Sequence, residues 1–184
     1  ARDYAEAGAY EEAYALLQEG KEVTPLIVYY EAYYLAQMGK EEEAKRFILE
    51  AEKLDSAYCF PNKLEDIAVL RYAVDTCQAG MAAYYLGNLF FDKLQWKKAV
   101  TLWEMAKDKY PEFPTVHRNL ALAYYNKLQD KVRAKSELEL AFHLDEKDVR
   151  VFLELDQLYK KLDYSYAFRL AKYEEYRELI GGRD

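Results

Sequence analysis

The chain has 184 residues, a formal net charge of −7, and is 52% apolar and 32% charged. That balance excludes a disordered chain, and seven glycines with four prolines argue against turn-rich β architecture. No apolar run approaches the roughly 20 residues of a membrane span, and no stretch reads as a signal peptide. Up to Tyr58 six Lys/Arg stand against thirteen Asp/Glu, and beyond it there are twenty of each. Nothing here is a basic footprint, which disfavours nucleic acid and anionic membrane as partners. Ala1 already lies in a helical pattern and no initiator Met precedes it, so a piece of a longer protein is expected. Cys59 and Cys77 are too few for a disulfide framework, so reduced thiols and a cytoplasmic setting are expected.

The expected elements are helices throughout. Tyr4, Ala13 and Leu17 fit the remainder of a helix pair, and Ala32, Leu35, Ala44, Ile48 and Ala51 fit a complete one. Glu41, Glu42 and Glu43 open its second helix, where acidic side chains complement the positive end. Residues 55–79 read as an irregular insertion. Pro61 pushes Phe60 out of the helical region, so 55–62 is an extended corner. Lys63 to Cys77 then forms a helix, with Leu64, Ile67, Ala68, Leu70 and Val74 near one face.

From Ala83 the pattern sharpens. Leu86-Gly87, Phe90, Ala99, Trp103, Ala106 and Pro111 mark one helix-turn-helix unit. Leu120-Ala121, Tyr124, Ala134, Leu138 and Ala141 repeat it with one extra residue in the turn, and Glu146 stands in the place of the proline. Phe152, Leu155, Tyr159 and Ala167 make a further copy, with Asp156 where a small residue belongs. Residues 163–182 form a capping helix stopped by Gly181-Gly182. Ala13, Ala44, Ala99, Ala134 and Ala167 are equivalent, at spacings of 31, 55, 35 and 33. The 55 is about 21 residues too long for the period, and the excess falls on the insertion.

These residues at these offsets resemble the 34-residue tetratricopeptide repeat, and the resemblance covers the whole chain. It implies an all-α, right-handed solenoid of helix-turn-helix repeats with one inserted helix, a single domain over 1–184. Gly87 and Ala99 are small because paired helices cross closely there, Phe90 and Trp103 fill the space between them, and neighbours must stack because one repeat cannot bury its own apolar face. Phe113-Pro114-Thr115-Val116 and Asn119-Leu120-Ala121-Leu122-Ala123-Tyr124-Tyr125-Asn126-Lys127 are similar to a narrower group of bacterial proteins. In these, such repeats follow β-sandwich domains resembling sugar-active enzymes, which implies a carbohydrate-related context.

No catalytic constellation is present, and a non-enzyme without cofactor or metal is expected. His117 takes a core aromatic's position and reads as a packed histidine. His143 lies near the negative end of a helix. Neither stands in a ligand-spaced motif with cysteine, and no phosphate loop or nucleophile elbow occurs.

The candidate site is the concave face, which the first helix of each repeat lines. Register with Gly87 puts Tyr84, Asn88, Phe91 and Asp92 there, with Arg118, Asn119, Leu122, Tyr125 and Asn126 from the next repeat, Arg150, Glu154 and Gln157 from the last, and Tyr29, Tyr33 and Gln37 upstream. A polar-aromatic face suits an extended peptide, and its rings also suit sugars. Tetratricopeptide modules that clamp a peptide's terminal carboxylate use Lys, Asn, Asn, Lys and Arg. Asn88 and Asn119 match the asparagines and Arg150 one lysine, but Tyr84 and Glu154 replace two cations, which removes most of the charge-assisted bonding. The leading expectation is a scaffold that binds a protein or peptide. The alternatives are an accessory module in carbohydrate processing, with Tyr29, Tyr33, Tyr84 and Tyr125 presenting a sugar, or a structural spacer or dimerisation module.

Overall fold

The computed structural model describes residues 1–20, 23–57 and 59–180. Tyr58 of the corner and the Gly181-Gly182 stop lie outside the described residues. Among the described residues there are helices and no strand. They fall into two compact units, Ala1–Lys109 and Tyr110–Asp184.

The first unit holds α1 (Arg2–Glu6), α2 (Tyr10–Gln18), α3 (Pro25–Gln37), α4 (Glu41–Ala51), α5 (Leu64–Cys77), α6 (Gly80–Asp92) and α7 (Trp96–Lys109). Thr24 starts α3 by accepting from the Ile27 amide, with Pro25 in the first turn, where a missing N–H costs nothing. Asp66 starts α5. One of its oxygens accepts from the Asn62 and Lys63 amides at 2.8 and 2.9 Å, and the other takes the Tyr30 hydroxyl at 2.6 Å. One carboxylate therefore both caps the inserted helix and pins it to α3. Glu52, just past α4, does the same for α6, accepting from the Met81 and Ala82 amides and from the Tyr29 hydroxyl at 2.5 Å. A carboxylate at a helix N-terminus satisfies orphan donors and the helix dipole together.

The second unit holds α8 (Pro114–Ala123), a π-helical segment (Tyr124–Leu128), α9 (Lys131–Leu144), α10 (Val149–Lys161), α11 (Tyr166–Glu175) and α12 (Arg177–Ile180). Asp130, Asp148 and Ser165 cap α9, α10 and α11 through their side chains. Each of these short polar residues satisfies an amide with no partner inside its helix.

The turn inside each helix pair passes through a left-handed residue: Gly8, Gly39, Leu94, Gln129 and Asp163. Glycine adopts this conformation freely, and three of the five turns manage without it. The helix crossings use the small residues. Ala13, Ala44, Ala99 and Ala134 are fully buried. At the crossing of α6 and α7, a Cβ on Gly87 would stand 2.5 Å from Trp103 Nε1. The last copy differs. Ala167 is exposed and no residue of α11 is buried. Asp156, in the register position of Gly87, receives Arg169 through two bonds of 2.7 and 2.6 Å. A fork-to-carboxylate pair thus joins α10 to α11 where the other pairs use close backbone approach.

Glu31 of α3 is a buried carboxylate, 7% exposed, that accepts from Gln18. Burial raises its pKa above the ordinary glutamate value, Gln18 pulls it down, and Glu50 adds to the rise. An acid with a raised folded pKa costs nothing where both states are protonated, and the cost grows as pH rises through the unfolded value, about 4.3. Glu31→Gln keeps an acceptor for Gln18 and removes the charge. It should raise the melting temperature at neutral pH, by about 2–4 °C for each kcal/mol gained at this chain length. The gain over the parent should vanish near pH 4. A gain that persists in acid would show that the charge is not its source.

Candidate functional site

Of the residues assigned to the concave face, Tyr29, Tyr33, Gln37, Tyr84, Asn88, Phe91 and Asp92 belong to the first unit, and most of them are buried or half-buried against neighbouring helices. Tyr29 is fully buried and its hydroxyl is held by Glu52. Tyr33 is half-buried, its ring edge-on to Tyr72 of α5 at 5.8 Å. Tyr84 is 9% exposed and lies against Tyr85. Asn88 accepts from Trp103 Nε1 at 3.0 Å, and the same N–H reaches the Tyr84 carbonyl at 3.3 Å. The physical reason at α3 is the insertion. α5 packs on that helix, so Tyr30 and Tyr33 meet its Asp66 and Tyr72. At α6 the reason is Trp103, whose indole N–H is a donor that must find acceptors once buried. Asn88 therefore ties two helices together.

The others, Arg118, Asn119, Leu122, Tyr125, Asn126, Arg150, Glu154 and Gln157, lie in the second unit, where six of them meet. Leu122, Tyr125, Asn126, Arg150, Glu154 and Gln157 line a cleft of about 340 Å³ between α8 with its π segment and α10. Arg118 stands beside it, its guanidinium bonded to Glu154 of the cleft at 2.7 Å through Nε and by a second bond to the other oxygen. Asn119 is half-buried and does not line the cleft. The floor is apolar, formed by the buried Ala121, Leu138 and Leu158 with the half-exposed Leu153. The rim is polar: Asn126, Gln157, Arg150 and Lys161.

The π segment shapes this site. The pair that contains it has the 35-residue alanine spacing, one beyond the repeat's 34. The extra residue is taken up by widening the last turn of the first helix. The Asp130 amide closes the turn onto the Tyr124 carbonyl at 2.9 Å. Side chains take the loosened carbonyls, Asn126 bonding Leu122 at 3.0 Å and Gln129 bonding Tyr125 at 3.2 Å. Such single-turn insertions are rare and are frequent at functional sites. Here it carries Tyr125 and Asn126 into the cleft wall, and the Lys161 ammonium sits 5.1 Å from the Tyr125 ring centre.

Register with Gly87 did not pick out the buried Ala121, Leu138 and Leu158 or the exposed Leu153 and Lys161 of the cleft. A sequence signal for Leu153 and Lys161 exists. Arg150, Leu153, Glu154, Gln157 and Lys161 follow helical periodicity along one face of α10, and an exposed leucine interrupts that polar face.

A second cavity in this unit, about 240 Å³, lies among α9, α10 and the end segment, and its walls include Phe142, Phe152, Phe168 and Tyr176. His117 serves packing rather than either cavity. It is 1% exposed, with Nδ1 2.6 Å from Glu137 and Nε2 2.8 Å from the Pro111 carbonyl. His143 is exposed beside Glu146. Cys59 is buried and free, its thiol pushed up to about 11 by desolvation, and Cys77 is free. Among the described residues no group of His, Cys, Asp or Glu could hold a metal ion, and no helix is long and apolar enough to cross a membrane.

No family model matches the chain. Among solved structures it is similar to MamA from Desulfovibrio magneticus RS-1, residues 41 to the end. That match has a TM-score of 0.57 at 18% identity, covering 100% of this chain and 92% of that one. A MamA RS-1 ArsTM double mutant matches at 0.58 and 19%, with the same coverage. The C-terminal part of a TPR repeat-containing protein from Cytophaga hutchinsonii matches at 0.52 and 18%, covering 98% of this chain and 76% of that one. The likeness is one of fold: the chain is an all-α helical repeat of the tetratricopeptide type.

Proposed function

We propose that the chain is a non-catalytic scaffold that binds a protein or peptide in the cleft between α8 and α10. The observation that carries this reading is the π segment. A local irregularity in the helix ladder costs stability, and here it lines the one wall of the cleft that presents Tyr125 and Asn126. An apolar floor with a few polar groups at its edge is the usual make-up of a binding cleft. Two unpaired cysteines, one of them buried, suit a reducing, cytoplasmic setting.

The test is Leu153→Asp, which puts a charge on the cleft floor at a half-exposed position, screened on peptide and glycan arrays beside the parent. Thermal unfolding should be nearly unchanged, within about 0.5 kcal/mol for a surface substitution. Binding to peptide hits should drop about tenfold or more, as for loss of an apolar anchor. Peptide hits untouched by Leu153→Asp would remove the cleft from the reading and favour the spacer module. Hits confined to glycans would favour the carbohydrate accessory role.

A further inference from the structure

We infer that the occupant of the second unit's cleft is an extended acidic segment, with an apolar side chain flanked by carboxylates about five residues apart. This rests on the reading of the cleft as the binding site and names the partner's chemistry.

The charges around the cleft carry the inference. Its lining holds one carboxylate, Glu154, and two cations, Arg150 and Lys161. Glu154 is already bonded at both oxygens by Arg118, so it presents little net charge to a ligand. Arg150 keeps its side chain 65% exposed, with Asp148 at 3.3 Å, a contact that solvent largely screens. Lys161 lies over the Tyr125 ring, and a cation held on one side by a ring face keeps donors for a partner. The exposed rim is therefore cationic on a chain whose net charge is −7.

Geometry gives the spacing. Arg150 and Lys161 stand on one face of α10 at the two ends of the cleft, and a helix rises about 1.5 Å per residue, which separates them by about 16 Å. An extended peptide covers that distance in about five residues. Leu153, 52% exposed, lies between the two cations along α10 and lines the cleft with Leu138 and Leu158, where an apolar side chain at the middle of the segment would be buried. Acids at the ends and an apolar residue at the centre then match the cleft point by point.

The experiment uses the whole chain and three labelled peptides in fluorescence anisotropy. The first is Gly-Asp-Ser-Leu-Leu-Ser-Asp-Gly, the second replaces both Asp by Lys, and the third replaces both Leu by Ser. The acidic peptide should bind about tenfold or more tightly than the lysine peptide, a difference of the size expected from two exposed charge pairs turned repulsive. Arg150→Glu with Lys161→Glu should abolish that preference, and salt raised from about 0.05 to about 0.5 M should weaken the acidic peptide selectively. The serine peptide should bind weakly in every case. Equal binding of the acidic and lysine peptides, both lost on Leu153→Asp, would overturn the charge inference and leave the cleft reading standing. If no peptide binds and sedimentation shows self-association that Leu153→Asp removes, the occupant is a second copy and the inference falls. If no peptide binds and no such association appears, the cleft reading fails with it.

Discussion

Tyr124→Ala should cost about 3–5 kcal/mol, the range for a large aromatic truncated inside a packed core. Tyr124 is 1% exposed, begins the π segment, and has the Arg133 guanidinium 4.2 Å from its ring centre. Its carbonyl also closes the widened turn. Removal of the ring leaves a cavity, and Arg133 loses the ring face and its hydroxyl while keeping Asp130. Tyr125, the next residue, is half-buried in the cleft wall. Tyr125→Ala should cost well under half as much and reduce binding instead, and Asn119→Ala, at another half-buried position, should also cost less. Denaturant midpoints at constant m measure the three variants on one scale. If Tyr125→Ala unfolds as badly as Tyr124→Ala, that side chain is a packing element and the cleft loses a wall.

A comparable loss, about 3–5 kcal/mol, is expected for Trp103→Ala in the first unit. Trp103 is 3% exposed, stacks near Phe91 at 5.2 Å, and satisfies acceptors on Tyr84 and Asn88. The more informative measurement is its coupling to Gly87. Alanine is favoured over glycine inside a helix by about 1 kcal/mol, yet a Cβ there meets the indole at 2.5 and 2.6 Å and the Ala99 carbonyl at 3.2 Å. Overpacking of that kind costs about 1–3 kcal/mol, so Gly87→Ala alone should destabilise. With Trp103→Ala already in place the indole is gone, and Gly87→Ala should be neutral or stabilising. Independent sites add to within about 0.3–0.5 kcal/mol. Additivity of these two changes would mean that the close crossing does not depend on the indole.

Much of the fold can be read from one-dimensional pattern. The recurrence of small and large residues at fixed offsets makes the helix pairs legible, since such residues must be buried at a helical period whatever lies beside them. Even the single extra residue before Ala134 has a structural counterpart, the π turn at Tyr124–Leu128. The turns were less legible. Gly8 and Gly39 announce a left-handed residue, but Leu94, Gln129 and Asp163 adopt the same conformation without a glycine signal, because hydrogen bonds around the turn impose it.

The residues that register assigns to one face meet different surroundings in the two units. In the second unit Leu122, Tyr125, Asn126 and Arg150 line one cleft. The same register reads Tyr29 and Tyr84 as presented, and both are buried. Likewise Ala167 repeats the type and position of Ala13, Ala44, Ala99 and Ala134, yet it alone is exposed. The sequence by itself determined the helical repeat, its period and the small residues at its crossings, which follow from local spacing and side-chain size. Only the tertiary structure decided which copies of the pattern are covered and which stay open to a partner, because burial is a property of the neighbours a residue acquires rather than of the residue.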